Sequence, residues 1–305
     1  MNPFLAMALG IVCSGIGGDL FVRGIVGLSR WMRVSAGIIG ATVAAFGTSA
    51  PELSVGIMAG LAGTPQVSLG DVLGSNIINV ALVLGITLVI GGLHSSRAKV
   101  KRDFVFALCA PVVLALLSLD GVLSGVDGYI LWILFIAWMV ATVLDVRKQR
   151  SATGKVLGKR HGGLSLAFSG LGLALLIAAG RLIILGAKGI AAALGVGGFI
   201  VGALIVAVGT SVPELATAVI SKVKGYEEVG LSTVLGSNIF NGLFIIPTVV
   251  VIHPIPVPWP GAALAIGFGM AAVAMILPTN KGMIDRWRGA VLLALYLLYL
   301  ALSLL

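Results

Sequence analysis

Apolar stretches of about 20 residues, the length of helix that crosses roughly 30 Å of hydrocarbon, recur along the whole chain with short gaps between them. Ten such stretches are expected to be helices: 4–27, 35–60, 67–92, 104–119, 126–146, 164–187, 196–220, 230–252, 260–277 and 287–305. With 59% apolar and only 10% charged residues, the chain cannot build a water-facing surface of ordinary polarity, so the bilayer is its main solvent. Inside lipid only helices and closed barrels satisfy every backbone polar group, and barrel strands alternate over segments of about ten residues. No segment alternates in that way, and the expected class is an all-α polytopic membrane protein. The first stretch has no basic segment before it and carries Asp19 and Arg23, so it reads as a first helix and not as a cleaved signal.

A net charge of +9 suits nucleic acid in general, but the placement of the charges gives a different account. When the loops are assigned alternately to the two faces, every Lys and Arg except Arg181 and Lys188 falls on one side. These include Arg30 and Arg33, Arg97 to Arg102, the run Arg147 to Arg160, Lys222 and Lys224, and Lys281 to Arg288. The positive-inside rule then puts that side in the cytoplasm and both termini outside, in a multi-pass protein of the cell membrane with no nucleic-acid partner. Cys13 and Cys109 sit within apolar helices and read as inert small side chains. His94, His161 and His253 fall in loops or at helix ends without ligand spacing to the cysteines, so neither a zinc nor a redox site is implied, and no cofactor is expected.

The chain contains an internal repeat. Gly-Thr-Ser-Ala-Pro-Glu-Leu at 47–53 returns as Gly-Thr-Ser-Val-Pro-Glu-Leu at 209–215, and Leu-Gly-Ser-Asn-Ile-Ile-Asn at 73–79 returns as Leu-Gly-Ser-Asn-Ile-Phe-Asn at 235–241. Both pairs stand 162 positions apart, so the halves are duplicates of one unit. Each half holds five expected crossings, an odd number, and the second therefore runs inverted relative to the first. The expected organisation is a first five-helix repeat over 1–146, a basic cytoplasmic linker over 147–163 and a second, inverted five-helix repeat over 164–305. Inverted repeats with interrupted helices near the midplane characterise many secondary transporters. The linker reads as solvated, and anionic lipid headgroups are the other partner its charge suits.

The repeated residues supply oxygen. Pro51 cannot donate to the carbonyl of Gly47, nor Pro213 to that of Gly209, so carbonyls are released where polar side chains gather. Helical spacing places Thr48 and Ser49 on the face of Glu52, and Thr210 and Ser211 on the face of Glu214. Ser75 and Asn79 share a face of the next helix, as Ser237 and Asn241 do in the second half, and Gly74 and Gly236 permit close backbone approach. Hard cations such as Ca²⁺ take all-oxygen shells of this kind. Two carboxylates at the bilayer centre are costly without a cationic partner, and no lysine or arginine lies at the matching depth, so a cation or proton must come from solution.

These residues resemble the cation/calcium exchanger superfamily, specifically its sodium/calcium exchanger branch in its prokaryotic form. The Gly-Thr-Ser-x-Pro-Glu and Gly-Ser-Asn-Ile-x-Asn pairs look like that family's two α-repeats. The resemblance implies a core of the second, third, seventh and eighth helices holding Na⁺ and one Ca²⁺ in alternation. Glu52 and Glu214 would be the shared central ligands, and Thr48, Ser49, Ser75, Thr210, Ser211 and Ser237 would add hydroxyl or carbonyl oxygens. The carbonyls of Ala45 and Ala207 would complete outer Na⁺ sites, and the first and sixth helices would slide across the core. Some relatives, including potassium-dependent ones, carry Asp where this chain has Asn241; the symmetric Asn79 and Asn241 weigh against potassium dependence.

The expected function is therefore secondary antiport of Na⁺ against Ca²⁺ by a monomer, and not enzymatic. A proton/calcium or other divalent exchanger ranks second and a passive cation channel below it, because an inverted repeat in one chain suits rocking between two states. An intramembrane aspartyl protease built on Asp19 and Asp71 ranks last, since neither aspartate is repeated. Asp71 lies four residues before Ser75, and drawing cations to the external mouth or capping the helix both fit that position.

Overall fold

A computed structural model of the chain describes residues 2–95, 97–152, 162–193, 207–280 and 282–303. Residues 196–206 of the expected seventh helix, linker residues 153–161 and Lys281 lie outside the described residues. The fold is all-helical apart from four two-residue strands.

Helix α1 (Pro3–Met32) starts where the Asn2 side chain accepts the amide of Phe4 at 2.9 Å and Pro3 presets the first turn. It stops at Arg33, whose φ of 59° is left-handed. Helix α2 (Ala36–Thr48) is capped by Ser35 and bends by 45° into α3 (Ala50–Leu61). The others are α4 (Gln66–Gly91), α5 (Arg97–Leu117), α6 (Gly125–Ala152), α7 (Gly162–Ala193), α8 (Ala207–Thr210), α9 (Val212–Val223), α10 (Glu227–Ile252), α11 (Trp259–Met275) and α12 (Arg286–Ser303).

Six of these helices, α1, α4, α6, α7, α10 and α12, are long and apolar enough to cross a membrane, and the bent α2–α3 pair makes a seventh. Of the remaining expected crossings, α5 is helical but begins with the charged run Arg97, Lys99, Lys101, Arg102 and Asp103. Helix α11 is apolar but has only 17 residues. Helix α6 continues to Ala152, into the segment expected as linker.

Helices α1 and α7 pack along their whole lengths, because small residues let the backbones touch. A Cβ on Gly24 would lie 2.4 Å from the amide nitrogen of Ser169, and one on Gly172 would lie 2.4 Å from that of Phe21. Phe21, Val22, Ile25 and Leu176 belong to a buried cluster separate from the main core, which α4, α10 and their neighbours fill.

Two antiparallel clasps join the loops. Strand β1 (Leu93–His94) pairs with β4 (Met283–Ile284), and β2 (Val122–Leu123) pairs with β3 (Ile255–Pro256). Moving β1 along the sequence by the repeat offset lands on β3, and moving β2 lands within one residue of β4. Each clasp is thus the counterpart of the other with its halves exchanged.

Candidate functional site

The repeated motifs fold alike. Ser49 (φ −86°, ψ 10°) and Ser211 (φ −85°, ψ 7°) are the hinge residues between α2 and α3 and between α8 and α9. Proline stands in the first turn beyond each hinge, where its missing N–H costs nothing, and Glu52 and Glu214 stand in the same first turns. The free amides of a helix N-terminus favour negative charge there. In the facing helices the ladder widens to π geometry over Ile78–Leu84, which contains Asn79, and over Asn241–Ile245. A third π turn, Gly40–Ala44, leads into Ala45. Such turns disturb the backbone bonding of a helix and recur at functional sites.

The four segments converge. Glu52 and Glu214 are each 1% exposed, and Thr48, Ser49, Ser75, Asn79, Thr210, Ser211, Ser237 and Asn241 are buried with them. The two carboxylates lie within coulombic reach of each other. The Ser237 hydroxyl donates to Glu214 Oε1 at 3.3 Å, the Ser49 hydroxyl reaches the same oxygen at 3.5 Å, and Thr48 Oγ1 meets Ser237 Oγ at 3.3 Å. This corrects the sequence expectation for Thr48 and Ser49. The spacing that puts them beside Glu52 assumes an unbroken helix, and the bend at Ser49 turns their hydroxyls across to the glutamate of the other half. The Ala45 carbonyl accepts both the Ser49 amide at 3.0 Å and the Thr48 hydroxyl at 3.3 Å. Ala207 opens α8 one turn before the second hinge.

Gly236 behaves as the sequence predicts, since a Cβ there would sit 2.2 Å from the carbonyl oxygen of Ala41. Gly74 faces open space among the described residues. The counterpart of Ala41, residue 203, lies outside them.

Two residues missed in the sequence, Asn76 and Asn238, set the direction of the amides. Asn238 Nδ2 donates to the backbone carbonyl of Asn76 at 3.0 Å, and Asn76 Nδ2 donates to that of Asn238 at 3.5 Å. A carbonyl only accepts, so both side chains present their remaining Oδ1 elsewhere. Asn238 Oδ1 takes Asn79 Nδ2 at 3.1 Å, and Asn76 Oδ1 takes Asn241 Nδ2 at 3.0 Å. With their nitrogens engaged, Asn79 and Asn241 leave Oδ1 without a partner. The repetition of this first asparagine in both motifs was the signal available in the sequence.

Around the glutamates, hydrogen-bonding capacity goes unused. Oε2 of Glu214, Oδ2 of Asp71, Oδ1 of Asn79 and Asn241, and the hydroxyl of Ser211 are buried without partners, and Glu52 and Ser75, though close enough to interact, make no hydrogen bond of ordinary geometry. More than 90% of buried polar groups in folded proteins are satisfied, so this concentration calls for an external partner. Among the described residues no lysine or arginine pairs with either glutamate. The donors are carboxylate, amide and hydroxyl oxygens, which suit a hard cation.

The residues set aside as a protease pair have separate surroundings. Asp19 is ion-paired with Arg23 at 2.8 Å and with Lys224, whereas Asp71 lies within electrostatic reach of Glu52. Cys13 and Cys109 are free thiols.

The family model described as sodium/calcium exchanger protein matches residues 2–144 and 164–305 of this chain. The chain is similar to the sodium/calcium exchanger MaX1 of Methanosarcina acetivorans, at 28% identity over 97% of this chain and 97% of that protein. It is also similar to the inner membrane protein YrbG of Escherichia coli, at 33% identity over 74% of this chain and 73% of that protein. Among solved structures, that of the sodium-calcium exchanger NCX_Mj soaked with Na⁺ and Ca²⁺ matches with a TM-score of 0.84 at 30% identity, covering 99% of each chain.

Proposed function

This chain belongs to the sodium/calcium exchanger family, and we propose that it exchanges Na⁺ for Ca²⁺ across the cell membrane by alternating access, with Glu52 and Glu214 as ligands shared by both ions. The observation that carries this reading is the set of buried, unpartnered oxygens around two carboxylates that, among the described residues, no lysine or arginine pairs with. A charge of about −2 balances one divalent ion, and replacement by Na⁺ keeps the carboxylates from facing each other unscreened. Asn79 and Asn241 offer amide oxygens, Ser75, Ser211 and Ser237 hydroxyls, and Thr48, Ser49 and Thr210 complete the shell. The carbonyls of Ala45 and Ala207, just before the hinges, serve the outer Na⁺ positions.

The architecture in this reading is ten crossings in two inverted repeats, 1–146 and 164–305, joined by a cytoplasmic linker, with both termini outside. The exchanged clasps and the reciprocal Asn76–Asn238 bonds support a two-fold relation between the halves. The bend pairs with α4 and α10 form the core. Helices α1 and α7, packed on each other through small residues and resting on Ile39, Ala44, Ala216 and Val229 of the core helices, are the elements suited to slide across it.

In proteoliposomes loaded with Na⁺, Ca²⁺ uptake follows the outward Na⁺ gradient and disappears in Glu52→Gln and in Glu214→Gln. Uptake indifferent to Na⁺ and driven by a pH gradient would assign the chain to proton/calcium exchange instead. Unitary currents at fixed voltage would make it a channel.

A further inference from the structure

Beyond the glutamates, along the interface of α3 and α4, runs a second set of oxygens without partners. Ser75, Asp71 and Ser68 follow one another at helical spacing on one face of α4, toward the turn that joins it to α3. The hydroxyl of Ser68 is fully buried and unpartnered, as is Oδ2 of Asp71, and the buried hydroxyl of Ser75 makes no hydrogen bond of ordinary geometry but lies within reach of Glu52. Ser68 points at α3, where a Cβ on Gly56 would come within 2.9 Å of its hydroxyl oxygen. Asp71 does not cap α4, because the helix begins at Gln66 with Pro65 before it and Asp71 stands in its second turn.

The same place in the other half is closed. The counterpart of Asp71 is Thr233, whose hydroxyl donates to the Val229 carbonyl of its own helix at 2.7 Å. The counterparts of Ser68 and Gly56 are Gly230 and Ala218, and these pack backbone to backbone, with a Cβ on Gly230 only 2.9 Å from Ala218 Cα. The hydroxyls of Thr217 and Ser221 on α9 are also buried without partners, but no carboxylate stands beside them; the difference between the halves is the charge of Asp71, where the other half has Thr233 bonded to its own helix.

We propose that Asp71 and Ser68, sharing Ser75 with the glutamate site, form a further subsite for one hard monovalent cation of the Na⁺ class, on one side of the protein only. Asp71 lies within electrostatic reach of Glu52 and stands one turn of α4 beyond Ser75, toward Ser68. That turn sets the cation at Asp71 apart from the one between the glutamates. A single carboxylate balances a single positive charge, and the few oxygens present leave part of the ion's shell to water, as befits a station on an entry route. The orientation by basic loops puts this station on the external face. The role of the subsite in transport rests on the exchanger reading; its capacity to bind does not.

Sodium NMR line broadening by detergent-solubilised protein tests binding without transport. In the Glu52→Gln, Glu214→Gln double variant, part of the broadening persists, and adding Asp71→Asn removes it. If no broadening remains in the double variant, or if it survives Asp71→Asn, the subsite does not exist. In right-side-out vesicles Asp71→Asn raises the half-saturating external Na⁺ on the order of tenfold, as expected on removing a focusing charge from a cleft, and leaves the value in everted vesicles unchanged. Equal shifts on both faces, or none, overturn the proposal. Ser68→Ala, which removes no charge, shifts the same face in the same direction by less and stands in should Asp71→Asn fail to fold. Wild-type vesicles that carry no Na⁺-driven Ca²⁺ would refute the exchanger reading and leave the NMR result intact.

Discussion

Asn238 donates its side-chain amide to the backbone carbonyl of Asn76 at 3.0 Å, and Asn76 returns the bond to Asn238 at 3.5 Å. A bond that exchanges its ends in this way belongs to a two-fold contact. Through the acceptor-only carbonyls it also fixes which end of each neighbouring amide is left without a partner, Oδ1 of Asn79 and of Asn241.

Asn76 and Asn238 are accordingly positioning residues. Asn238→Ala frees Asn79 to rotate, and the half-saturating Ca²⁺ concentration of exchange rises on the order of tenfold, about 1.4 kcal/mol, with a smaller change in maximal rate. Asn76→Ala does the same through Asn241. Because both act on one network, the double variant loses less than the sum of the two. Additive losses would show two independent scaffolding contacts.

In the proposed exchanger, two buried carboxylates without a bound cation destabilise the empty site. Thermal unfolding in detergent with Na⁺ and Ca²⁺ removed should give a higher midpoint for the Glu52→Gln, Glu214→Gln double variant than for the wild type, since facing buried carboxylates are gone. Added Ca²⁺ then raises the wild-type midpoint, by an amount equivalent to about 2.7 kcal/mol at a hundred times its dissociation constant, and leaves the double variant where it was.

A structural ion pair offers a contrast. Asp103, 2% exposed, accepts from Arg102 Nε at 2.8 Å and from Trp138 Nε1 at 2.9 Å, while Arg102 Nη1 reaches Asp145 at 3.1 Å. Asp103→Ala leaves an indole N–H and part of a guanidinium unsatisfied, and should cost about 3 kcal/mol in chemical or thermal unfolding. Ca²⁺ half-saturation of the folded fraction stays at the wild-type value.

Gly236→Ala forces a methyl into the Ala41 carbonyl. Overpacking of this kind costs about 1–3 kcal/mol, and the displacement passes directly to the neighbouring Ser237. Loss of Ca²⁺ transport that exceeds the loss of folded protein, measured by size-exclusion yield, would distinguish displacement of the site from simple destabilisation.

The lipid-facing character of the chain and the duplication were legible in its residues, because apolar length and identical motifs at a constant offset survive without knowledge of packing. Pro51 and the polar residues around it signalled an interrupted helix, but the bend was not placed at Ser49, since only the backbone angles show where the axis turns. Once that bend exists, helical spacing fails as a guide, which is why Thr48 and Ser49 face Glu214. Asn76 and Asn238 stood in plain view within the repeated motif, but their partners are each other, across the two halves, and spacing along one segment does not reveal a contact 162 positions away. Asp71 was conspicuous in the sequence, but the unevenness of the two halves there lies in packing that spacing does not show, with Thr233 bonded to its own helix and Gly230 against Ala218.

The two clasps carry a practical corollary. Among the described residues strand β1 pairs with β4 and β2 with β3, so each half of the polypeptide edges the other at two separate points. Severing the chain between Ala152 and Gly162 would therefore leave fragments that are mutually templating. Co-expressed as separate genes, they should complement one another into a functional assembly that neither fragment approaches alone, and tags inserted at Leu93–His94 or Met283–Ile284 should block that reunion.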